Sequence, residues 1–402
     1  MDPLGFTQPF GALRSRLYSQ FTVLSNFPAY HGILALIYQL LAQRKITPSN
    51  NDFAQRFRQA ESLWGMANVA TEQSILNVTK YRAILEGRHS FTLKDIGRGN
   101  AIFSSLAYGT LGHYSNPSVA WGFLERGAER LTPLGTRLAD AFATRSGRSM
   151  RAALEQWLDG KSITRSSLEK LGGVYGIDKL PSPAEKKAWL DALDEWYLRA
   201  PVTKELWTTP PDENDFKALQ ADAAAYQNFF PTMAARYPSL AKVFMQAGRF
   251  ETMSALCLFL FEREYLLCHD AGPALPAAGT LENKLATSLI KLAQQYRMPD
   301  FNDDTRGLFA LLAEASNHAA VANIILNHHV GHQNAKNTQP YMENGELRLR
   351  DRFNRDEFTS LHEELSCKAT TGEQLALLSY RYRRDWHIHR ALRYSQYFRG
   401  NE

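Results

Sequence analysis

The sequence predicts a mainly α, multi-helical protein of two domains with one C-terminal β-hairpin, and three observations carry that class. Long stretches place apolar side chains at helical spacing, as in Ile33, Leu36, Ile37, Leu40 and Leu41, the pattern of a helix with a core face. Alternation of period two is confined to residues 339–352, where Tyr341, Met342, Leu347 and Leu349 flank Asn344-Gly345, a strong two-residue hairpin signal. A chain of 402 residues, 44% hydrophobic, is enough for two or three domains. Pro210 and Pro211 mark a break near residue 210.

The elements follow in order. Residues 1–30 are irregular, broken by Pro3, Pro9 and Pro28, with a short amphipathic piece over 13–21 whose Arg14 and Arg16 face solvent. Residues 30–44 form a core helix, and 47–51 a turn. From Asp52 a second helix carries Phe53, Phe57, Leu63, Trp64 and Ala67 inward, with Arg56 and Arg58 beside Glu61 on ordinary surface. Residues 100–110 read as a helix with Ile102, Phe103, Leu106 and Ala107 on one face. Asn116-Pro117-Ser118 caps a short helix over 119–125 that Gly127 stops. Further helices cover 150–159 and 182–198, and Gly172-Gly173-Val174-Tyr175-Gly176 reads as the loop between them. No Lys-Ser/Thr follows those glycines, so they make no phosphate cradle. The second half is helical over 215–230, 240–246, 250–269, 281–296 and 304–329. Residues 250–269 are apolar nearly all round and belong at the centre of a bundle.

One segment has an architectural signature. At Leu131-Thr132-Pro133-Leu134-Gly135, Thr132 is a good N-cap and Pro133 suits a first helical turn, so a short strand over Arg130 and Leu131 passes directly into a helix. This resembles the end of bacterial winged-helix domains, where a strand carrying this motif closes the wing, and it marks 91–146 as a winged-helix-like segment. The expected organisation is therefore an N-terminal helical region over 1–90, that segment, a helical connector over 147–210, and a C-terminal bundle over 211–402. A wider pattern adds an Arg/Tyr-rich opening at 13–18, the long apolar helix and the run RFRQAESLWGMA at 56–67. Over residues 1–145 it resembles helical bacterial proteins encoded in phage-defence and mobile-element gene clusters. The resemblance implies a DNA-associated accessory role and supplies no catalytic residue.

The chemistry-bearing residues point the same way. The net charge of +5 is compatible with a polyanionic partner. Cys257, Cys268 and Cys367 have no CxxC spacing, which fits a reducing cytoplasm. No apolar run is long enough to span a bilayer, and residues 1–11 lack a signal-peptide pattern. Arg348 and Arg350 share one face of the hairpin, and Arg381, Arg383, Arg384, Arg390 and Arg393 interleave with Tyr380, Tyr382, Trp386 and Tyr394. Arginine forks contact phosphates and aromatic rings stack on unpaired bases. Arg130 and Arg137 add contacts at the wing. His328 and His332, four apart, have metal-ligand spacing, but Gly331 intervenes and no zincin glutamate is present. No nucleophile elbow, phosphate loop or dinucleotide fingerprint occurs. The expectation is a cytoplasmic, non-enzymatic DNA-associated or scaffold subunit of a bacterial complex, of the anti-phage kind, without a cofactor or membrane partner. The alternatives are a divalent-metal nuclease or hydrolase built on His328 and His332, and an adaptor that binds protein alone.

Overall fold

The computed structural model describes residues 2–21, 25–96, 109–127, 130–267, 279–296, 303–336, 342–343, 346–347 and 355–399. The first half of the chain contains α1 (Thr7–Tyr18), α2 (Ala29–Gln43), α3 (Phe53–Ala70), α4 (Val78–Leu85), β1 (Ser90–Phe91), α5 (Thr110–Trp121), α6 (Pro133–Ala143), β2 (Thr144–Arg145), β3 (Arg148–Ser149), α7 (Met150–Leu158), β4 (Ile163–Thr164), α8 (Arg165–Tyr175), α9 (Pro183–Arg199) and α10 (Lys204–Thr208). The second half contains α11 (Glu213–Ala221), α12 (Ala223–Arg236), α13 (Ala241–Leu267), α14 (Thr280–Gln295), α15 (Asp303–Glu314), α16 (His318–Ala335), β5 (Met342–Glu343), β6 (Glu346–Leu347), α17 (Arg355–Ser366), α18 (Thr371–Arg381) and α19 (Ile388–Arg399). The protein is mainly α. Among the described residues β-structure is limited to three antiparallel pairs, β1–β4, β2–β3 and β5–β6, and one isolated bridge.

The chain forms two compact units and passes between them three times. The first unit is Tyr18–Pro211 with His387–Glu402, and the second is Met1–Leu17 with Asp212–Trp386. Each unit therefore takes in the opposite end of the chain. In the first, α2 packs on α3, α5 and α6, α3 crosses α8, and α9 receives α6 and α19. Helix α2 is buried along nearly its whole length, because its apolar residues leave no polar face to turn outward. Its one buried imidazole, His31, is matched on both nitrogens, by Ser118 Oγ at 2.7 Å and Tyr394 Oη at 2.9 Å. Around it lies an aromatic cluster in which Trp121 meets Trp189 at 5.1 Å and Trp207 at 5.3 Å, while Phe21 meets Tyr394 at 4.8 Å.

The Leu131–Gly135 motif behaves as its residues demand. Leu124 bridges Leu131 in antiparallel register, and Thr132 N donates to Phe123 O at 3.1 Å. Thr132 Oγ1 then accepts from Gly135 N at 3.0 Å, capping α6, with Pro133 in the first turn. Gly135 sits against the Phe123 carbonyl, where a Cβ has no room.

Several local expectations differ. Helix α5 already begins at Thr110 and ends at Gly122, so Asn116-Pro117-Ser118 lies inside it rather than capping a later helix. Proline there loses a single intrahelical bond, which packing offsets. Residues 97–108, the expected site of another helix, lie outside the described residues. The glycine cluster is not a loop: Gly172 belongs to α8 and faces the Ala67 carbonyl of α3, so its missing side chain permits a close helix crossing. Arg58 and Glu61 are buried, not surface residues, and Glu61 Oε1 accepts from Thr110 N at 2.6 Å. Pro9 falls in the first turn of α1, which Asp2 caps through Phe6 N and Thr7 N at 2.7 and 2.8 Å.

In the second unit α13 is a single helix through Gly248, central as its apolar girth implies, with α12, α14, α16 and α18 packed on it. The expected helix over 304–329 is two helices, because Asn317 caps α16 by accepting from Ala320 N at 2.9 Å. Met342 pairs with Leu347 and Glu343 with Glu346 in antiparallel register, while the expected turn residues Asn344 and Gly345 lie outside the described residues.

Two outcomes follow. Gly135→Ala is expected to destabilise the first unit by about 1–3 kcal/mol through overpacking, read from denaturant midpoints. Burial lowers the His31 pKa from 6.5 to about 3, so the native state binds fewer protons in that window. Its stabilisation is complete above pH 6.5 and is lost as pH falls toward 3. His31→Phe should therefore cost about 2 kcal/mol near neutral pH. In matched titrations the gap to the parent should narrow by about 1 kcal/mol per pH unit on acidification. A pH-independent gap would contradict this.

Candidate nucleic-acid interface

Residues between α5 and α6 form a short hairpin. Phe123 and Leu124 run antiparallel to Leu131 and Thr132, with Glu125 N donating to Arg130 O at 2.9 Å. Arg126 is exposed beside the turn and has no ion pair among the described residues. Arg130, with a side chain 72% exposed, pairs with Glu125 at 2.5 Å. The hairpin walls a cleft of about 850 Å³, whose other sides are the Ser115–Ala120 face of α5 and the end of α9 at Trp196 and Arg199. Arg137 projects from α6 toward α9, 3.5 Å from Asp191 and 3.8 Å from Glu195. Arg199, which lines the cleft, donates to the carbonyls of Trp207 and Thr208.

The arginines of the C-terminal run are divided between the units, Arg381, Arg383 and Arg384 in the second and Arg390 and Arg393 in the first. In the second unit Arg381 is exposed and pairs with Glu364 at 2.9 Å. Arg383 is exposed and lies over the Tyr380 ring at 4.2 Å. Arg384 is largely covered: it donates to Ser254 Oγ at 2.7 Å and sits 3.6 Å from the buried Glu251 carboxylate. Burial pushes the Glu251 carboxyl up to about 7, against the pull of Arg384. Trp386 Nε1 donates to that same carboxylate at 3.0 Å. In the first unit Arg390 is buried and contacts His387 Nδ1. Arg393 lies over the Phe27 ring at 4.3 Å and donates to Asn26 O at 3.2 Å. Arg348 and Arg350 lie outside the described residues.

His328 and His332 are brought to one acidic partner. His332 Nδ1 is 3.0 Å from Asp304 Oδ2, and His328 Nδ1 is 3.7 Å from Asp304 Oδ1. His328 Nε2 donates to Leu4 O at 3.1 Å, and the neighbouring His329 Nδ1 donates to Pro3 O at 2.8 Å. These imidazoles thus fasten the residues before α1 onto α16. Among the described residues no group of three or more His, Cys, Asp or Glu side chains is placed to hold a metal ion. Cys257 is buried, which pushes its thiol up and makes it a poor nucleophile. Cys367 is exposed, and Cys268 lies outside the described residues. Among the described residues no helix is long and apolar enough to cross a membrane.

Sequence reasoning missed the strongest polar contact of the first unit. The Arg145 guanidinium, 3% exposed, donates to both Glu185 oxygens at 2.5 and 2.6 Å and to Tyr397 Oη at 2.8 Å. Glu185 also closes the capping box of α9 with Ser182. The box was legible in Ser182-Pro183-Ala184-Glu185, but its distant partner was not.

Comparison with known proteins returned no match: no protein family, no curated protein and no solved structure is similar to this chain.

Arg145→Met is expected to cost about 3–5 kcal/mol, because Glu185 would keep a buried, unpaired charge. Arg381→Ala should change stability by less than about 1 kcal/mol, since its pair is exposed. Thermal melting of both variants checks the contrast, and equal losses would contradict it.

Proposed function

We propose that the protein is a non-enzymatic, DNA-associated or scaffold subunit of a bacterial multi-component system, of the anti-phage kind. The observation that carries the DNA reading is the hairpin between α5 and α6, whose turn exposes Arg126 without a carboxylate partner and Arg130 in a solvent-exposed pair. An exposed ion pair is worth about 0–1 kcal/mol. A phosphate can therefore displace Glu125 from Arg130 at little cost, and the same holds for Arg137 and Arg381. Arg384 and Arg390 are different, because their guanidinium groups neutralise or cap buried partners and are not available to a strand. The phosphate-contacting set supported by exposure is therefore Arg126, Arg130, Arg137 and Arg393 in the first unit and Arg381 and Arg383 in the second. The scaffold reading draws on α9 and the residues after it, which expose Leu190, Leu198 and Val202, with Leu198 86% exposed.

Binding to labelled double- and single-stranded DNA across a salt series, with and without Mg²⁺ or Mn²⁺, tests the first reading. Affinity should fall steeply with salt and no cleavage should appear. Arg126→Ala/Arg130→Ala should weaken binding about tenfold and reduce the salt slope by about 2. Absence of binding at low salt, or a double variant indistinguishable from the parent, would remove the DNA role. Cleavage that requires metal would replace it with a nuclease.

A further inference from the structure

A second cationic feature of the first unit rests on residues other than those of the hairpin. Helices α7 and α8 are joined by residues 159–164, and a cleft of about 350 Å³ lies between them. That volume is within the usual range of small-ligand sites, about 300–1,000 Å³. Its inner wall is Trp157 and Leu171, both buried, and its rim carries Arg148, Lys161 and Lys170. All three cations are exposed, and none has an ion pair among the described residues.

No carboxylate lines the cleft. The nearby acids are committed elsewhere: Asp159 pairs with Arg44 at 2.8 Å, Glu169 with Arg165 at 3.4 Å, and Asp140 with Arg151 at 2.9 Å. Glu155, the remaining acid of α7, is not among the lining residues. Three like charges around one concave space repel one another, and a low-dielectric wall strengthens the field they share. An anion entering the cleft relieves that repulsion.

The donors suit one anion class. Arg148 offers a planar fork, and Lys161 and Lys170 offer mobile point charges, the combination that surrounds a tetrahedral oxyanion. The Ser162 hydroxyl also lines the cleft. The starts of α7 and α8, capped by Ser149 and Thr164 at 3.1 and 3.2 Å, place two positive helix ends at the same cleft.

We propose that the cleft between α7 and α8 is a binding site for a phosphate ester. The phosphate comes either from a free nucleotide or from a nucleic-acid strand, and recognition is the same in both cases.

Equilibrium dialysis of the full chain with pyrophosphate, ADP and a 5′-phosphorylated or unphosphorylated short oligonucleotide tests the site. Pyrophosphate is expected to bind the parent below about 1 mM. Lys161→Ala/Lys170→Ala should weaken it about tenfold or more. Both positions are exposed, so an unchanged melting curve accompanies that loss, and Arg148→Gln supplies an independent second variant. Retained pyrophosphate affinity in Arg126→Ala/Arg130→Ala separates this site from the hairpin. ADP binding lost in the lysine variant identifies a free nucleotide as the source. A loss confined to the phosphorylated oligonucleotide identifies a strand end. Failure of every probe to bind the parent at about 1 mM, or equal affinity in parent and lysine variant, overturns the proposal.

Discussion

The first unit depends on one buried imidazole. His31 enters the core with both ring nitrogens partnered, by Ser118 on α5 and Tyr394 on α19. A buried histidine is tolerated only when both nitrogens are hydrogen-bonded, and here both are. Because Tyr394 comes from the final helix, the contact makes the end of the chain part of the core built by residues 18–211. The rings of Tyr114, Phe123 and Trp189 close around the imidazole at 5.2, 6.0 and 5.4 Å, which removes water and keeps it neutral.

This arrangement changes the meaning of the basic, aromatic run near the C-terminus. By composition it is the best nucleic-acid surface in the chain, since Arg and aromatic residues alternate. In three dimensions Trp386, Tyr394, Tyr397 and Phe398 are core residues. The arginines between them serve those residues' neighbours: Arg384 the Glu251 carboxylate, Arg390 the His387 ring, Arg393 the Phe27 face. Composition does not distinguish an aromatic that stacks on a base from one that packs in a core, because both require a flat apolar ring beside a polar group.

Helical character was legible because it rests on local period. Residues 30–44 and 250–269 announce themselves through apolar spacing, and the Thr132-Pro133 turn through capping chemistry. What was not legible depends on contacts distant in sequence. Gly172 looked like a loop because glycine is a poor helix former, whereas its place in α8 comes from the approach of α3. Glu61 looked like a surface acid because its partner, Thr110, is 49 residues away. The Arg145–Glu185 pair spans 40 residues, and Tyr397 joins it across 252. The same limit applied to the sites. Arg148, Lys161 and Lys170 are unremarkable along the chain, and only the packing of α7 against its surroundings gathers them around one cleft.

Pairing also explains how a chain with a net charge of only +5 acquires concentrated positive regions. Several arginines of the first unit are paired with a specific carboxylate at 3.5 Å or closer, as with Arg44, Arg145, Arg151 and Arg165. Each such pair removes one acid as well as one base from the electrostatic balance of the surface. The cations left over are therefore not diluted by nearby carboxylates. They include Arg126 at the hairpin turn and Arg148, Lys161 and Lys170 at the α7–α8 cleft. A field that is weak when averaged over the molecule becomes strong where the pairing stops, and the rim of a concave surface focuses it further. Local charge of this kind, more than overall basicity, is what an approaching phosphate experiences within the Debye length, about 8–10 Å at physiological salt.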